Sequence, residues 1–257
     1  MEQTERRKYL IESLLAERGE RAAIPLSEEA QKRLLRALFN VRPPHPANEA
    51  FLRVQDEYLQ EEIRRKGITD VRALSPVSPD LYLWRGDITL LQCDGIVNAA
   101  NSRLLGCFCS NHGCIDNAIH TFAGVQLRLA CFELMRKQGR EEKTGTAKIT
   151  PAYNLPCKAV LHTVGPIVGA KLTDLHRKQL SDCYRACLDL AAENGLESLA
   201  FPCISTGEFH FPNEEAALVA VATVREWKEK TGSKLKIIFN VFTEKDEKIY
   251  ARIFGTN

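Results

Sequence analysis

The chain has 257 residues, of which 44% are hydrophobic and 26% are charged. This composition is typical of a globular protein with a sizeable core, and it excludes a disordered or a collagen-like chain. The 35 basic and 33 acidic side chains leave a net charge of +2, which is too small to supply the basic face that binds a phosphate backbone. We therefore expect no nucleic acid partner.

The sequence also argues against a membrane or a secreted protein. Its longest apolar stretches, such as AVLHTV and KIIFNVF, are far shorter than the roughly 18 to 20 residues of a membrane span. The stretch EQTERRKYL after Met1 is not an apolar export signal. Nine cysteines, an odd number, favour reduced thiols over a disulfide framework. We expect a soluble cytoplasmic protein without a membrane partner.

Residues 1–75 have the apolar spacing of helices, and we expect no strand there. One apolar stripe begins at Leu10, a second follows Ser27, which is a good helix cap, and a third ends at Gly67. The stretch VRPPHPAN separates the second from the third, because consecutive prolines cannot continue a helix. We interpret this region as an N-terminal helical extension, and the stretch SPVSPD as its boundary with a second domain, residues 76–257.

From Leu81 onward, short apolar runs alternate with longer segments of helical spacing, which is typical of a layered α/β domain. Such continuously apolar strands lie buried between helices. In open α/β sheets a ligand binds beyond the carboxyl ends of the strands, so the loops after Ala100 and Ile204 are the candidate binding loops. The predicted strands are LYLW, GIVNAA, AVLHTV, SLAFPCI and KIIFNVF.

Three loops carry groups suited to a ligand. Asp87 lies in a turn after the first strand, where a carboxylate accepts from a ligand amine or from the local backbone. Asn98 and Asn101 end the next strand, and such amides bind sugar hydroxyls or pin the turn. The small-residue turn 205–207 precedes a helix predicted to start at Pro212, so its N–H groups suit phosphate oxygens. A plain connecting loop is the alternative.

Cys107, His112 and Cys114 crowd into one short stretch with the spacing C-x4-H-x-C. A loop bent at Gly106 and Gly113 can bring the three side chains together, and two thiolates with an imidazole suit zinc. The spacing is not that of a zinc finger, and a reduced thiol cluster or a redox pair would use the same residues. By spacing alone these alternatives stay open.

Taken together, these pieces resemble the macrodomain family from about residue 81 to the end of the chain. The resemblance implies an α/β fold in three layers, with a mixed sheet flanked by helices, and ADP-ribose as the ligand. It rests on the stretches Asp87-Ile88, Asn98-Ala99-Ala100-Asn101, Ala118-Ile119-His120, His162-Thr163-Val164-Gly165-Pro166 and Ser205-Thr206-Gly207.

The resemblance also implies which residues bind ADP-ribose. The adenine is expected at the Asp87 turn, the ribose at the asparagine loop, and the phosphates at the loop that follows the fourth predicted strand. The implied set is Asp87, Ile88, Asn98, Asn101, Ser205, Thr206, Gly207, Glu208, Phe209 beside the distal ribose, and Phe242 over the adenine.

The chain departs from the family where its hydrolases usually place a run of glycines, because it has GCFCSNHGCID over residues 106–116. In this it resembles the zinc-containing branch of macrodomains, which is found beside bacterial sirtuin-like ADP-ribosyltransferases and also carries an N-terminal helical extension. The likeness implies a Zn²⁺ cofactor bound by Cys107, His112 and Cys114, with one position open for water or substrate. It also makes a sirtuin-like ADP-ribosyltransferase a candidate partner.

Two residues receive catalytic roles from the resemblance. Asp116 matches the acidic residue that family hydrolases place beside the distal ribose, and Asn101 holds that ribose. An Asp in a first helical turn is also favoured by the helix dipole alone. His120 occurs in metal-free macrodomains too, so we expect it to pack or to form hydrogen bonds. Cys109 is not expected to bind the metal.

The leading hypothesis is a zinc-dependent hydrolase that removes single ADP-ribose units from modified proteins, from an ester-linked acidic side chain. Zinc would act as a Lewis acid, and Asp116 would orient or activate water. A second hypothesis is a non-catalytic reader of ADP-ribosylated protein with zinc as a loop staple, against which Asp116 and Asn101 argue. A third is a hydrolase of O-acetyl-ADP-ribose, which the sequence does not separate from the first.

Overall fold

The computed structural model of the chain describes residues 1–256, which begin with three helices: α1 (Gln3–Glu17), α2 (Glu28–Val41) and α3 (Glu49–Lys66). Ser27 caps α2, since its hydroxyl accepts from the Ala30 N–H at 3.3 Å. Helix α3 ends at Gly67, whose φ of 91° suits glycine. The three helices predicted for this region are confirmed.

Nine strands follow within residues 1–256. Seven of them form one mixed sheet, and the other two form a separate pair. The strands within residues 1–256 are β1 (Thr69–Asp70), β2 (Pro76–Ser78), β3 (Leu81–Arg85), β4 (Leu91–Gln92), β5 (Gly95–Ala100), β6 (Ala147–Pro151), β7 (Ala159–Val164), β8 (Ser198–Phe201) and β9 (Lys236–Val241). The spatial order of the main sheet is β2-β3-β9-β8-β5-β7-β6. Strands β3, β9, β8, β5 and β7 run parallel, whereas the edge strands β2 and β6 are antiparallel to their neighbours.

The remaining helices cover both faces of this sheet. They are α4 (Ile115–Ala123), α5 (Val125–Gln138), α6 (Asp174–Glu193), α7 (Asn213–Thr231) and α8 (Glu244–Phe254). Val97 and Leu161 pack in one core with α6, α7 and α8, while Ile96 and Val160 pack in the other with α4 and α5. Because successive side chains of a strand face opposite sides, the central strands are buried on both faces of the sheet. The predicted mixed α/β architecture is confirmed.

One expectation about strands is wrong, and the predicted set of strands is incomplete. Residues 1–75 do contain a strand, because β1 pairs in parallel with β4. The edge strands β2 and β6 were also absent from the predicted set. An edge strand is shielded less than a central one, and β2 and β6 are only partly buried, so neither carries the apolar run that marks a central strand. The five predicted strands are present as β3, β5, β7, β8 and β9.

The N-terminal helices pack on the α4 and α5 side of the sheet. Leu10, Leu35, Phe39 and Phe51 share one apolar cluster with Val125 of α5. Helices α2 and α3 contact α4, and α3 also contacts the short 3-10 helix Ile88–Leu90. The extension therefore reaches the edge at which β3 and β5 end. No helix within residues 1–256 has the length and apolar character of a membrane span.

Candidate functional site

The carboxyl ends of the parallel strands open into one cleft of about 980 Å³, which is large enough for a dinucleotide-sized ligand. Parallel strands present their carboxyl ends at the same sheet edge, so the loops that follow them converge. The loops after Ala100 and Ile204, expected to bind the ligand, both line this cleft. Its wall is completed by the first residues of α4 and by the loop before that helix.

The first end of the cleft lies at the turn after β3. Asp87 Oδ1 accepts from the N–H and the hydroxyl of Thr89 at 3.0 and 2.6 Å, whereas no residue within 1–256 donates to its Oδ2. One oxygen thus holds the turn and the other is free for a ligand. Asn240 of β9 braces the same turn by donating to the Gly86 carbonyl at 3.0 Å. Phe242, 76% exposed, also lines the cleft.

Asp116 lies at the other end, against Asn98 of β5. Strand β5 is three strands away from β3, which at the spacing of a sheet is roughly 14 Å. Asp116 is the second residue of α4 and only 4% exposed. Asn98 Nδ2 donates to its Oδ1 at 2.8 Å, and Asn101 Nδ2 donates to its Oδ2 at 3.3 Å. Burial raises the pKa of Asp116 to about 6, against the opposing effects of Asn98 and of the Arg128 charge.

Asn101 and Asp116 both line the cleft, but Asn98 lies beneath it and is fully buried. Its Nδ2 is also 3.2 Å from His162 Nδ1, and His162 Nε2 is 2.9 Å from the Thr150 hydroxyl. Burial lowers the pKa of His162 to about 4, so the ring is neutral, accepts from Asn98 and donates to Thr150. The structure therefore shows Asn98 supporting Asp116. The predicted contact of Asn98 with a ligand stays a prediction.

His120, Cys131 and His162 form a buried group whose ligand-type atoms lie within 4.8 Å of one another. Both ring nitrogens of His162 are already engaged by Asn98 and Thr150, so this group is poorly suited to a metal. His120 Nε2 is 3.5 Å from Asp116 Oδ1, but burial holds the pKa of His120 well below its usual range and leaves it neutral. His120 packs under Gly106, as expected.

The three expected zinc ligands converge in front of α4. Ligand atoms of Cys107, His112 and Cys114 lie within 4.8 Å of one another, and Cys107 Sγ is 3.5 Å from His112 Nδ1. Zn–S and Zn–N bonds of about 2.3 and 2.0 Å at a tetrahedral angle place sulfur and nitrogen about 3.5 Å apart, so this donor set fits zinc. Cys109 is exposed and lies outside the group.

Cys114 has a further feature that suits a metal ligand, since it caps α4 and its Sγ accepts from the Asn117 N–H at 3.4 Å. A helix N-terminus stabilises a thiolate. Burial acts in the opposite direction and raises the pKa of the Cys114 thiol. A cation at this position therefore has to bind with release of the thiol proton.

The loop after β8 lies between the two ends and presents backbone donors. The N–H groups of Gly207, Glu208 and Phe209 have no acceptor within residues 1–256, which suits an anionic ligand. Ser205 has a φ of 67°, and its buried hydroxyl packs so closely on Gly165 that a side chain there would collide with it. Thr206, Phe209 and Glu208 line the cleft as well.

Glu208 approaches the cysteine-rich loop, with Oε1 3.4 Å from His112 Nε2. The loop after β8 therefore approaches one expected metal ligand, His112, as well as lining the middle of the cleft. Phe211, by contrast, is buried in the core beneath α7.

Two cations from the N-terminal helices also line the cleft, and sequence reasoning missed both. Arg36 of α2 donates to the Asn117 side chain at 2.9 Å and to the His112 carbonyl at 3.1 Å. Lys66 of α3 lies over the Phe122 ring, 3.8 Å from its centroid, and burial lowers its pKa. No local pattern marks these residues, because their partners lie in another part of the chain.

Comparison with known proteins agrees with this geometry. The Macro domain family matches residues 97–220. The chain is 58% identical to a protein-ADP-ribose hydrolase of Treponema medium, over 99% of this chain and 100% of that relative. It is 49% identical to a protein-ADP-ribose hydrolase of Staphylococcus aureus strain MRSA252, over 97% of this chain and 95% of the relative.

Solved structures show the same likeness. A macrodomain of Oceanobacillus iheyensis with ADP superposes with a TM-score of 0.62 at 36% identity, covering 70% of this chain and 92% of that one. A macrodomain of Trypanosoma brucei in complex with ADP-ribose gives a TM-score of 0.65 at 33% identity, covering 85% and 94%. With relatives about half identical or more over nearly its whole length, N-terminal helices included, this chain belongs to the macro domain family.

Proposed function

We propose that this protein is a zinc-dependent hydrolase that releases ADP-ribose from mono-ADP-ribosylated proteins. One observation carries the proposal: a buried carboxylate, Asp116, whose two oxygens are held by amides, lies in the cleft directly after the converging Cys107, His112 and Cys114. The relatives named protein-ADP-ribose hydrolase match the chain over its full cleft. A module that only reads ADP-ribose has no need of a carboxylate at this position.

ADP-ribose fits the cleft in one direction. The adenine amine reaches the free oxygen of Asp87, beside Ile88 and Phe242, and the diphosphate lies on the unpaired N–H groups after β8. The distal ribose then extends toward Asn101. Binding the remote adenine and phosphates places the reacting carbon at the metal end, so that energy gained in binding serves the reaction.

The chemistry is hydrolysis at the distal ribose. Water adds to the anomeric carbon, the bond from that carbon to the side-chain oxygen of the modified residue breaks, and the carboxylate of that residue leaves. Asp116 orients the attacking water and takes up the proton that it loses. Asn101 holds both Asp116 and, through the Gly106 carbonyl at 3.1 Å, the start of the cysteine-rich loop. Zinc, when bound by Cys107, His112 and Cys114, supplies Lewis-acid stabilisation of developing negative charge.

The test uses purified protein of known zinc content with three substrates: protein carrying ADP-ribose on acidic side chains, protein carrying it on serine, and O-acetyl-ADP-ribose. We expect release of ADP-ribose from the acidic-side-chain conjugate. Binding of ADP-ribose without release from any substrate would support the reader hypothesis instead. Turnover of O-acetyl-ADP-ribose alone would replace the protein substrate with the free ester.

A further inference from the structure

The cysteine-rich loop, residues 106–114, contains no strand or helix; we refer to it as the metal loop. The single backbone hydrogen bond that joins two of its described residues runs from the His112 N–H to the Cys109 carbonyl, at 3.2 Å. Asn111, just before His112, has a left-handed φ of 56°. A loop with so few bonds of its own is positioned by side chains of other elements.

Helix α2 of the N-terminal extension supplies two of these contacts, on consecutive loop residues. Asn40 Oδ1 accepts from the Asn111 N–H at 2.9 Å, while Asn40 Nδ2 donates to the Thr121 hydroxyl of α4 at 2.9 Å. Arg36 Nη2 donates to the His112 carbonyl at 3.1 Å. The backbone on both sides of the Asn111–His112 peptide bond is therefore tied to one helix.

Arg36 also holds a second anchor of the loop. Its Nε and Nη2 both donate to Asn117 Oδ1, at 3.2 and 2.9 Å, and Asn117 Nδ2 donates to the Cys109 carbonyl at 3.0 Å. Asn117 is fully buried. Within residues 1–256 no carboxylate lies within 4.0 Å of Arg36, so its planar fork is used to bridge two neutral oxygens rather than to form an ion pair.

We propose that Arg36 is a positioning residue of the metal centre, and that with Asn40 it makes helix α2 a structural part of the zinc site. Helix α2 holds His112 at the place where its ring meets Cys107 and Cys114. The inference rests on the proposed zinc function, and it assigns the N-terminal helices a role in metal binding. Residues that orient metal ligands from outside the ligand set typically contribute 10- to 100-fold to metal affinity.

The experiment compares full-length Arg36→Ala with Arg33→Ala. Arg33 lies three residues earlier on the same helix, is exposed, and makes no side-chain hydrogen bond or ion pair within residues 1–256, so it is the matched control. Zinc affinity is measured by competition with a chelator. We expect Arg36→Ala to bind zinc about 10- to 100-fold more weakly and Arg33→Ala to bind it as the wild type does.

A second readout needs no metal. Hydrogen exchange at the amides of residues 107–114 in metal-free protein should accelerate in Arg36→Ala and stay unchanged in Arg33→Ala, because the loop loses the Arg36 contact at His112 and the support that Arg36 gives to Asn117. Arg36→Lys, which keeps the charge but cannot bridge both oxygens in one plane, should fall between wild type and Arg36→Ala in both measurements. Arg36→Lys is also the variant that tests the proposal if Arg36→Ala does not fold.

The two hypotheses fail in different ways. If wild-type protein binds no zinc, the proposed metal-dependent function is wrong, and the exchange measurement still reports on Arg36. If wild type binds zinc and the Arg36 variants match it in both zinc affinity and exchange, the positioning role is overturned while the zinc function stands.

Discussion

The two ends of the cleft are held in place by different kinds of structure. At the end expected to bind the nucleotide, Asp87 and Phe242 follow on β3 and β9, and the loop between the two ends follows on β8. Backbone pairing in the sheet sets the positions of these strands. At the metal end, the metal loop depends on side chains of α2, and the hydrogen bonds join residues 71 to 81 positions apart in the chain. The proposed nucleotide binding thus depends on the sheet, and the proposed chemistry depends on the N-terminal helices.

This difference means that the two ends should be separable by mutation. A change at the metal end should remove turnover and leave most of the nucleotide affinity, whereas a change at the Asp87 turn should do the reverse. The following variants test that division in order of decreasing expected effect.

The largest effect is expected from the zinc ligands. Cys107→Ala, His112→Ala and Cys114→Ala should each lose the single equivalent of zinc and with it all measurable hydrolysis, because two remaining ligands are too few to hold the ion. Cys109→Ala is the matched control and should keep both, since Cys109 lies outside the ligand group. Metal analysis and turnover assays decide this, and full zinc retention in all three ligand variants would show that the metal lies elsewhere.

Asp116→Ala is expected to slow hydrolysis by about 10² or more, the usual contribution of a positioned acid–base group, while ADP-ribose affinity stays within about tenfold of wild type. A carboxylate beside an anionic diphosphate does not improve ground-state binding, so its contribution appears in the rate. Single-turnover assays with saturating enzyme measure the rate, and calorimetry measures the affinity. A wild-type rate in this variant would assign the catalytic role to another group.

Asp87→Ala tests the opposite end. A carboxylate that accepts from the adenine amine contributes roughly 1.5 to 3 kcal/mol, so ADP-ribose affinity should fall by about 10- to 100-fold with zinc content unchanged. Asp70→Ala, which removes a carboxylate of the β1 strand outside the cleft, is the control. An unchanged dissociation constant for Asp87→Ala, measured by calorimetry, would mean that this residue only holds its turn.

The last prediction concerns the buried network of Asn98 and His162 beneath Asp116, and its effect appears in stability rather than in activity. Burial lowers the pKa of His162 from 6.5 to about 4, so between those pH values the unfolded chain binds a proton that the folded chain does not. The stability that neutral His162 contributes is therefore complete above about pH 6.5 and is lost as the pH falls toward 4. The loss is about 2 to 3 kcal/mol.

His162→Gln isolates this contribution, because glutamine can accept from Asn98 and donate to Thr150 without titrating. Urea unfolding at pH 7 and pH 4.5 should show a smaller acid-induced loss in the variant, by about 2 to 3 kcal/mol. Asp116 and His120 titrate near the same network, but both are present in both proteins and largely cancel in the difference. Equal acid sensitivity would mean that His162 is not kept neutral by burial.

Much of the fold could be predicted from residue patterns. Four of the parallel strands, β5, β7, β8 and β9, were predictable because burial on both faces leaves a continuous apolar run. Strand β3 was predictable because it is apolar although only partly buried, and the capped helices because Ser27 and Gly67 mark their ends locally. Strands β1, β2, β4 and β6 were missed, since a short or partly buried strand carries little apolar pattern. Their pairing is decided by which backbone groups lie nearby after folding.

The site divides in the same way. Cys107, His112 and Cys114 were predicted as zinc ligands from their type and spacing together with the family resemblance, and Asp116 was predicted as catalytic from the resemblance. The structure brings all four to the cleft. The position of Asn98 beneath the cleft was not predicted, because a strand residue faces one side or the other of the sheet, and only the packed sheet with α4 above it places Asn98 against Asp116 and His162.

Residue types and short spacings along this chain thus specified which groups are available: the apolar runs of the sheet, the thiols and imidazole of one loop, and the carboxylates of two turns. Tertiary structure alone decided which distant groups meet them. Arg36 and Asn40 stand in a helix whose pattern encodes only its own apolar face, and their contacts with the metal loop arise because that face packs against the rest of the protein. A hydrogen bond across 70 or more residues leaves no periodic mark in a sequence, since its geometry exists only once both partners are fixed by packing.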